Sequence, residues 1–194
     1  MQLGVAHLLS GIIRVVFIYV ISQIVGIAAI LSSLAIYQVN KRKTMLLLSL
    51  IAALLFSIHY WMLGATTGAA MNLLAVGRCY VFYKVRPSRD NRWIVYLFIG
   101  LDIFVGLLTW EGFISLLPIL GSIGGILSGW QRRPKLIRRY GIIPPPLWFA
   151  YSFLTGSIPG MIIGVVRCIS NLVGQYRFDF RHKAHIRHKL AHPA

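Results

Sequence analysis

The sequence predicts an all-α integral membrane protein of seven transmembrane helices, arranged as two parallel three-helix bundles joined by a linker helix. Three observations carry that reading. The 194-residue chain is 57% hydrophobic and only 12% charged, the reverse of a soluble domain, which covers itself with charge. Several of its uncharged stretches reach or exceed the roughly 20 residues that cross about 30 Å of hydrocarbon. Its basic residues are abundant in one connection and nearly absent from the next, as the positive-inside rule requires.

Each span follows from where charge or glycine interrupts the apolar runs. Between Arg14 and Lys41 no residue is charged for 26 positions, which gives a first span at 15–39, ended by Asn40-Lys-Arg-Lys-Thr44. The next uncharged run, Thr44 to Gly77, holds 34 residues. As one helix it would reach about 51 Å, too long for a single crossing. It is expected to turn back at Gly64-Ala-Thr-Thr-Gly68, giving spans at 45–63 and 67–84. After the polar cluster Lys84 to Arg92, Trp93–Trp110 forms span four, with aromatic ends suited to the two interfaces. Span five runs from Phe113 to Trp130 and is closed by the basic loop Gln131 to Arg139. The stretch Tyr140 to Tyr176 again exceeds one crossing and breaks at Gly156-Ser-Ile-Pro-Gly160 into spans six and seven. Span six is short, because Pro144-Pro145-Pro146 suits only a first helical turn.

Lys and Arg number three in 40–44, four in 84–92, five in 131–139 and five from Arg177 onward, while the opposite side carries only Arg14. That asymmetry places the C-terminus in the cytoplasm and the N-terminus outside. It also accounts for the net charge of +16 without nucleic acid, since the basic residues lie between apolar runs and face the membrane's polar borders and lipids. The N-terminal segment lacks the basic start of a signal peptide and is expected to be retained. Cys79 and Cys168 lie within apolar runs and suggest neither a disulfide nor a zinc site. His182, His185, His188 and His192 share the tail with Arg181, Lys183, Arg187 and Lys189, which repel a divalent cation, so no metal is expected. With four acidic residues and no catalytic pair, neither an enzyme nor a cofactor is indicated.

An internal repeat organises the spans. Gly64–Gly68 recurs as Gly156–Gly160 at an offset of 92, Arg78-Cys79 as Arg167-Cys168 at 89, and Tyr37-Gln38 resembles Trp130-Gln131 at 93. Residues 16–84 and 113–176 are then two three-helix units, 93–110 the linker that lets them point the same way, and 177–194 a basic tail.

Polar groups at bilayer depth are costly unless paired or facing a cavity, so they are the candidate site. Arg78 and Arg167 sit deep at equivalent repeat positions, facing an anionic solute or else snorkelling or pairing. Asp102, midway along span four, is the one deep acid and is expected to neutralise Arg78, with Arg167 as the alternative. Asn171, one turn beyond Arg167, and Asn72 offer amides to a polar solute or fasten helices. His59 is either a proton relay or an interface residue, and Pro118 either a hinge or an ordinary membrane proline.

The segments Gln23-Ile-Val-Gly26, His59-Tyr-Trp-Met-Leu-Gly64, Gly68-Ala-Ala with Arg78, Leu116-Leu-Pro-Ile-Leu-Gly121, Gly156-Ser-Ile-Pro-Gly160 and Asn171 with Arg177-Phe178 resemble the bacterial inner-membrane family Imp-YgjV. The 3+1+3 arrangement is similar to that of the SWEET and PQ-loop transporters. The resemblance implies an inner-membrane location and a SWEET-like fold, and by analogy of fold a small-solute transporter or facilitator, in which Trp148 and Tyr151 are either packing or interface aromatics or a clamp on the solute. The family pattern has a second His where this chain has Tyr151 and an acid where it has Gly164, and the PQ-loop motif is absent. A receptor or assembly partner is the competing class. The solute, the coupling ion and any oligomeric state are not readable from sequence.

Overall fold

The structure, a computed structural model, describes residues 2–180, with side chains from Val16 to Asp179. The tail histidines and their basic neighbours lie outside the described residues. Among those described, the order of elements is α1 Gln2–Gln38, α2 Arg42–Met62, α3 Thr66–Lys84, α4 Trp93–Leu108, a 3-10 turn Phe113–Ser115, α5 Leu116–Gly129, α6 Pro134–Tyr140, α7 Pro144–Leu154 and α8 Ile158–Gln175. A π-helical turn, Tyr176–Phe180, continues α8.

Among the described residues, three helical stretches are long and apolar enough to cross a membrane: Val16–Gln38, Arg42–Met62 and Ile158–Asp179. The expected spans four and five are shorter apolar helices, Trp93–Leu108 and Phe113–Gly129. The expected span three corresponds to the 19-residue α3, which is less apolar because it carries Asn72 and Arg78. Span six is only the 11-residue α7, which at 1.5 Å per residue reaches about 16 Å, half the hydrocarbon thickness.

Local sequence explains the breaks. Gly64 and Gly156 adopt φ of +74° and +67°, which disfavour any Cβ, so the chain reverses at repeat-equivalent glycines. Proline occupies the first turn of α6, α7 and α8, where amide donors have no intrahelical partner. Ser157 caps α8 by accepting from the Gly160 amide at 3.1 Å. The start of α3 has its cap supplied from afar: Glu111 accepts from the Thr66 amide at 3.0 Å and from its hydroxyl, an anion at a helix N-terminus. The basic stretch expected to be a loop, Gln131 to Arg139, instead contains α6, because Pro134 presets its first turn and Ile137 and Arg138 are buried.

Helix adjacency builds a ring. Helix α2 packs between α1 and α3, α7 packs between α5 and α8, α1 lies on α8, and α3 lies on α5. Six helices therefore close around one centre, and α4 docks outside on α3 and α5. Its anchor is aromatic: Phe98 meets Phe82 edge to face at 5.7 Å, and Phe82 meets Trp130 at 5.0 Å. The surface is apolar, with Ile24, Leu31, Leu47, Phe104, Phe153 and Ile169 all exposed. Ser22, Ser33, Thr67, Ser122, Ser152 and Asn171 are buried. An apolar exterior over a polar interior is stable only where lipid replaces water.

Candidate functional site

The ring encloses a cavity of about 120 Å³. All six helices reach it, with Tyr37, Phe56, Asn72, Arg78, Trp148 and Arg167 among its walls. None of the four acidic residues lines it.

Arg78 enters from α3. Its Nη1 donates to the Ser122 carbonyl at 2.9 Å and meets the Ser122 hydroxyl at 3.0 Å. Asp102 of α4 approaches from outside the ring, Oδ2 lying 3.6 Å from the same nitrogen. That is an ion pair rather than a hydrogen bond, and neither carboxylate oxygen has a hydrogen-bond partner among the described residues. A Cβ at position 125 would lie 2.9 Å from Arg78 Nη2, so the glycine there makes room for the guanidinium.

Arg167 enters from α8 in a different setting. Its Nη2 donates to the Ser33 hydroxyl at 2.8 Å, and its guanidinium lies 5.8 Å from the Phe56 ring centroid. Its Nε is buried without a hydrogen-bond partner, and no described carboxylate lies within 4.0 Å of it. Asn72, whose amide donates to the Gly68 carbonyl at 2.9 Å, completes the polar wall. Trp148 packs against Tyr60 and Tyr151 at 5.9 and 6.0 Å.

Two layers of cross-helix bonds bracket the cavity. In the first, His59 Nδ1 meets the Ser22 carbonyl at 2.8 Å. A carbonyl only accepts, so Nδ1 carries the proton, and in the neutral ring Nε2 accepts from the Ser157 hydroxyl at 3.0 Å. Tyr60 and Ser152 hydroxyls meet at 2.8 Å, and the Gly68 amide donates to the Tyr151 hydroxyl at 3.0 Å. These bonds join α2 and α3 to α7 and α8. The second layer centres on Arg138 of α6, with further bonds from the end of α1 and the start of α2. Arg138 grips Asp179 with Nη2 at 2.6 Å and Nε at 3.1 Å, while its carbonyl accepts from Asn171 at 2.8 Å. Gln38 donates to the Ser170 carbonyl at 3.1 Å, and Arg42 Nε to the Gln131 carbonyl at 2.9 Å.

The expected site residues are therefore partly assembled. Arg78, Arg167, Asn72 and Trp148 share one cavity, and Asp102 stands behind Arg78. His59, Tyr151 and Asn171 do not line it. The first two belong to the bond layer beside it, and Asn171 turns to α6 instead of joining Arg167. Pro118 is the third residue of α5, at the helix start, where its missing donor interrupts no bond within that helix.

Sequence reasoning missed Ser33, Ser122, Phe56, Tyr60 and the Arg138–Asp179 pair. One signal was available, since Asp179 is the sole acid after Glu111 and sits in the final basic segment.

A family described as bacterial inner membrane protein, Imp-YgjV, matches residues 20–182 of the chain. No curated protein and no solved structure matches it.

Proposed function

We propose that this chain, which belongs to the Imp-YgjV family of bacterial inner membrane proteins, is a small-solute transporter or facilitator. It crosses the membrane seven times, with its N-terminus in the periplasm and its C-terminus in the cytoplasm. Helices α1–α3 form one unit, α5, α7 and α8 the other, and α4 links them in a SWEET-like arrangement. The two units rock about the cavity between them.

The observation that carries this reading is Arg167: a guanidinium lining a cavity, midway along an apolar helix long enough to cross a membrane, with no carboxylate within 4.0 Å among the described residues. A structural arginine at that depth would be expected to hold a counter-charge, because an uncompensated buried charge costs several kcal/mol. Retaining the charge makes physical sense where a solute supplies the partner. The short α7, entered through three prolines, lines the cavity, and unusually short segments are one pointer to the sites of repeat-built transporters. The bond layers on either side of the cavity supply two places at which access can open.

The test is flux. Purified chain in sealed vesicles should pass at least one small metabolite faster than protein-free vesicles, and Arg167→Gln should return flux to that background. Stabilisation by a solute without any flux would favour a receptor. The absence of both would leave no support for a solute site.

A further inference from the structure

The nature of the solute can be read from the charges around the cavity. Two arginines line it and no acid does. Asp102, outside the ring, lies within 3.6 Å of Arg78 and offsets that charge. Nothing comparable stands behind Arg167, whose described partners are the neutral Ser33 hydroxyl and the face of Phe56. One positive charge in the walls is thus left without a counterpart among the described residues.

Resting on the transport reading above, the geometry points to a small organic monoanion, a carboxylate of a few carbon atoms, as the solute of this cavity, with Arg167 as its charge partner. A carboxylate matches the planar donor edge of a guanidinium, and Arg167 Nε is the buried donor that has nothing to bond. A neutral solute such as a sugar would occupy the space and leave the charge unanswered. A dianion would bring one negative charge too many, since Asp102 already answers Arg78. Size agrees with a short chain. The cavity exceeds the roughly 10–15 Å³ that one water needs, yet falls below the roughly 300–1,000 Å³ of sites that enclose drug-sized ligands. Phe56, Ile163 and Trp148 give the carbon end an apolar wall, and Asn72 and Ser122 give a hydroxyl or second oxygen a partner.

The experiment uses the full chain, purified in detergent, with thermal unfolding followed against sodium propionate, disodium succinate, glucose and sodium chloride at matched ionic strength. Propionate is expected to raise Tm saturably by at least about 3 °C, as a ligand well above its Kd does. Chloride, glucose and succinate should do much less. Arg167→Gln should lose the propionate shift. Arg167→Lys keeps the charge without the planar edge and should bind at least about tenfold more weakly. Asp102→Asn frees Arg78 and should move the preference toward succinate, a gain that misfolding cannot produce. Equal shifts from chloride or glucose, or an undiminished propionate shift in Arg167→Gln, would overturn the monoanion while leaving a solute site in place. No shift with any solute, together with no flux, would overturn the transport reading itself.

Discussion

Asp102 is buried in α4, and removing its charge would leave Arg78 held only by the Ser122 oxygens. Breaking one side of a buried pair costs about 3–5 kcal/mol, because the survivor is stranded in a medium that cannot solvate it. Asp102→Asn is therefore expected to lower thermal stability and yield, and the exchange Arg78→Asp with Asp102→Arg should restore part of the loss. If the exchanged protein is as unstable as the two single losses added together, the two groups do not act as a pair. The sequence narrowed this contact to two alternatives, since only one acid is expected to lie deep but the repeat marks Arg78 and Arg167 alike; the packing of α4 on α3 and α5 brings Asp102 to Arg78. The partners of Arg167 and Asn171 were not legible. Helical spacing puts residues 167 and 171 on one face, but it does not say that Ser33 stands opposite one and the carbonyl of Arg138 opposite the other.

At the scale of elements, two hairpin turns rest on Gly64 and Gly156, both left-handed. A side chain there costs roughly 1–2 kcal/mol from its Cβ alone, with open space around both positions leaving no other penalty. Gly64→Ala and Gly156→Ala should each destabilise by about that amount in a denaturation series. Gly77→Ala, in the middle of α3 with equally open space, should be neutral or stabilising by up to about 1 kcal/mol. A uniform response at all three would show that backbone conformation is not what these glycines supply. The turns were readable because glycine pairs interrupt runs too long for one crossing. Helix α6 was not, since a basic stretch reads as solvated loop until Arg138 finds Asp179, 41 residues away. The length of α7 was only half visible: the prolines fix where it starts, and its end is set by the Gly156 turn, so 11 residues remain.

At the scale of the whole molecule, the basic segments predict orientation. Reporter fusions after residues 43, 90, 135 and 185 should read as cytoplasmic, and those after 66, 112 and 158 as periplasmic. That orientation, if the fusions bear it out, would assign a side to each bond layer: His59, Tyr60, Tyr151 and Ser157 toward the periplasm, and Arg138, Asp179 and Gln38 toward the cytoplasm. If the two units rock, loosening one layer should admit water from that side only. Cys79 is a native reporter, because it lines the cavity and is a buried free thiol. In a Cys168→Ser background its reaction with a membrane-impermeant thiol reagent measures how often water reaches the centre, since only the hydrated thiolate reacts. Tyr60→Phe with Tyr151→Phe removes the phenol oxygens of two bonds, each contributing about 1 kcal/mol, so opening outward should rise roughly tenfold or more. Asp179→Asn weakens the grip of Arg138 and should raise labelling from the cytoplasmic face of inverted vesicles instead. Neither change should raise labelling from the opposite side, because the other layer remains shut. Labelling that rises from both sides with either change would mean a pore that leaks through. Labelling that rises from neither would mean that these layers hold the ring together without gating it.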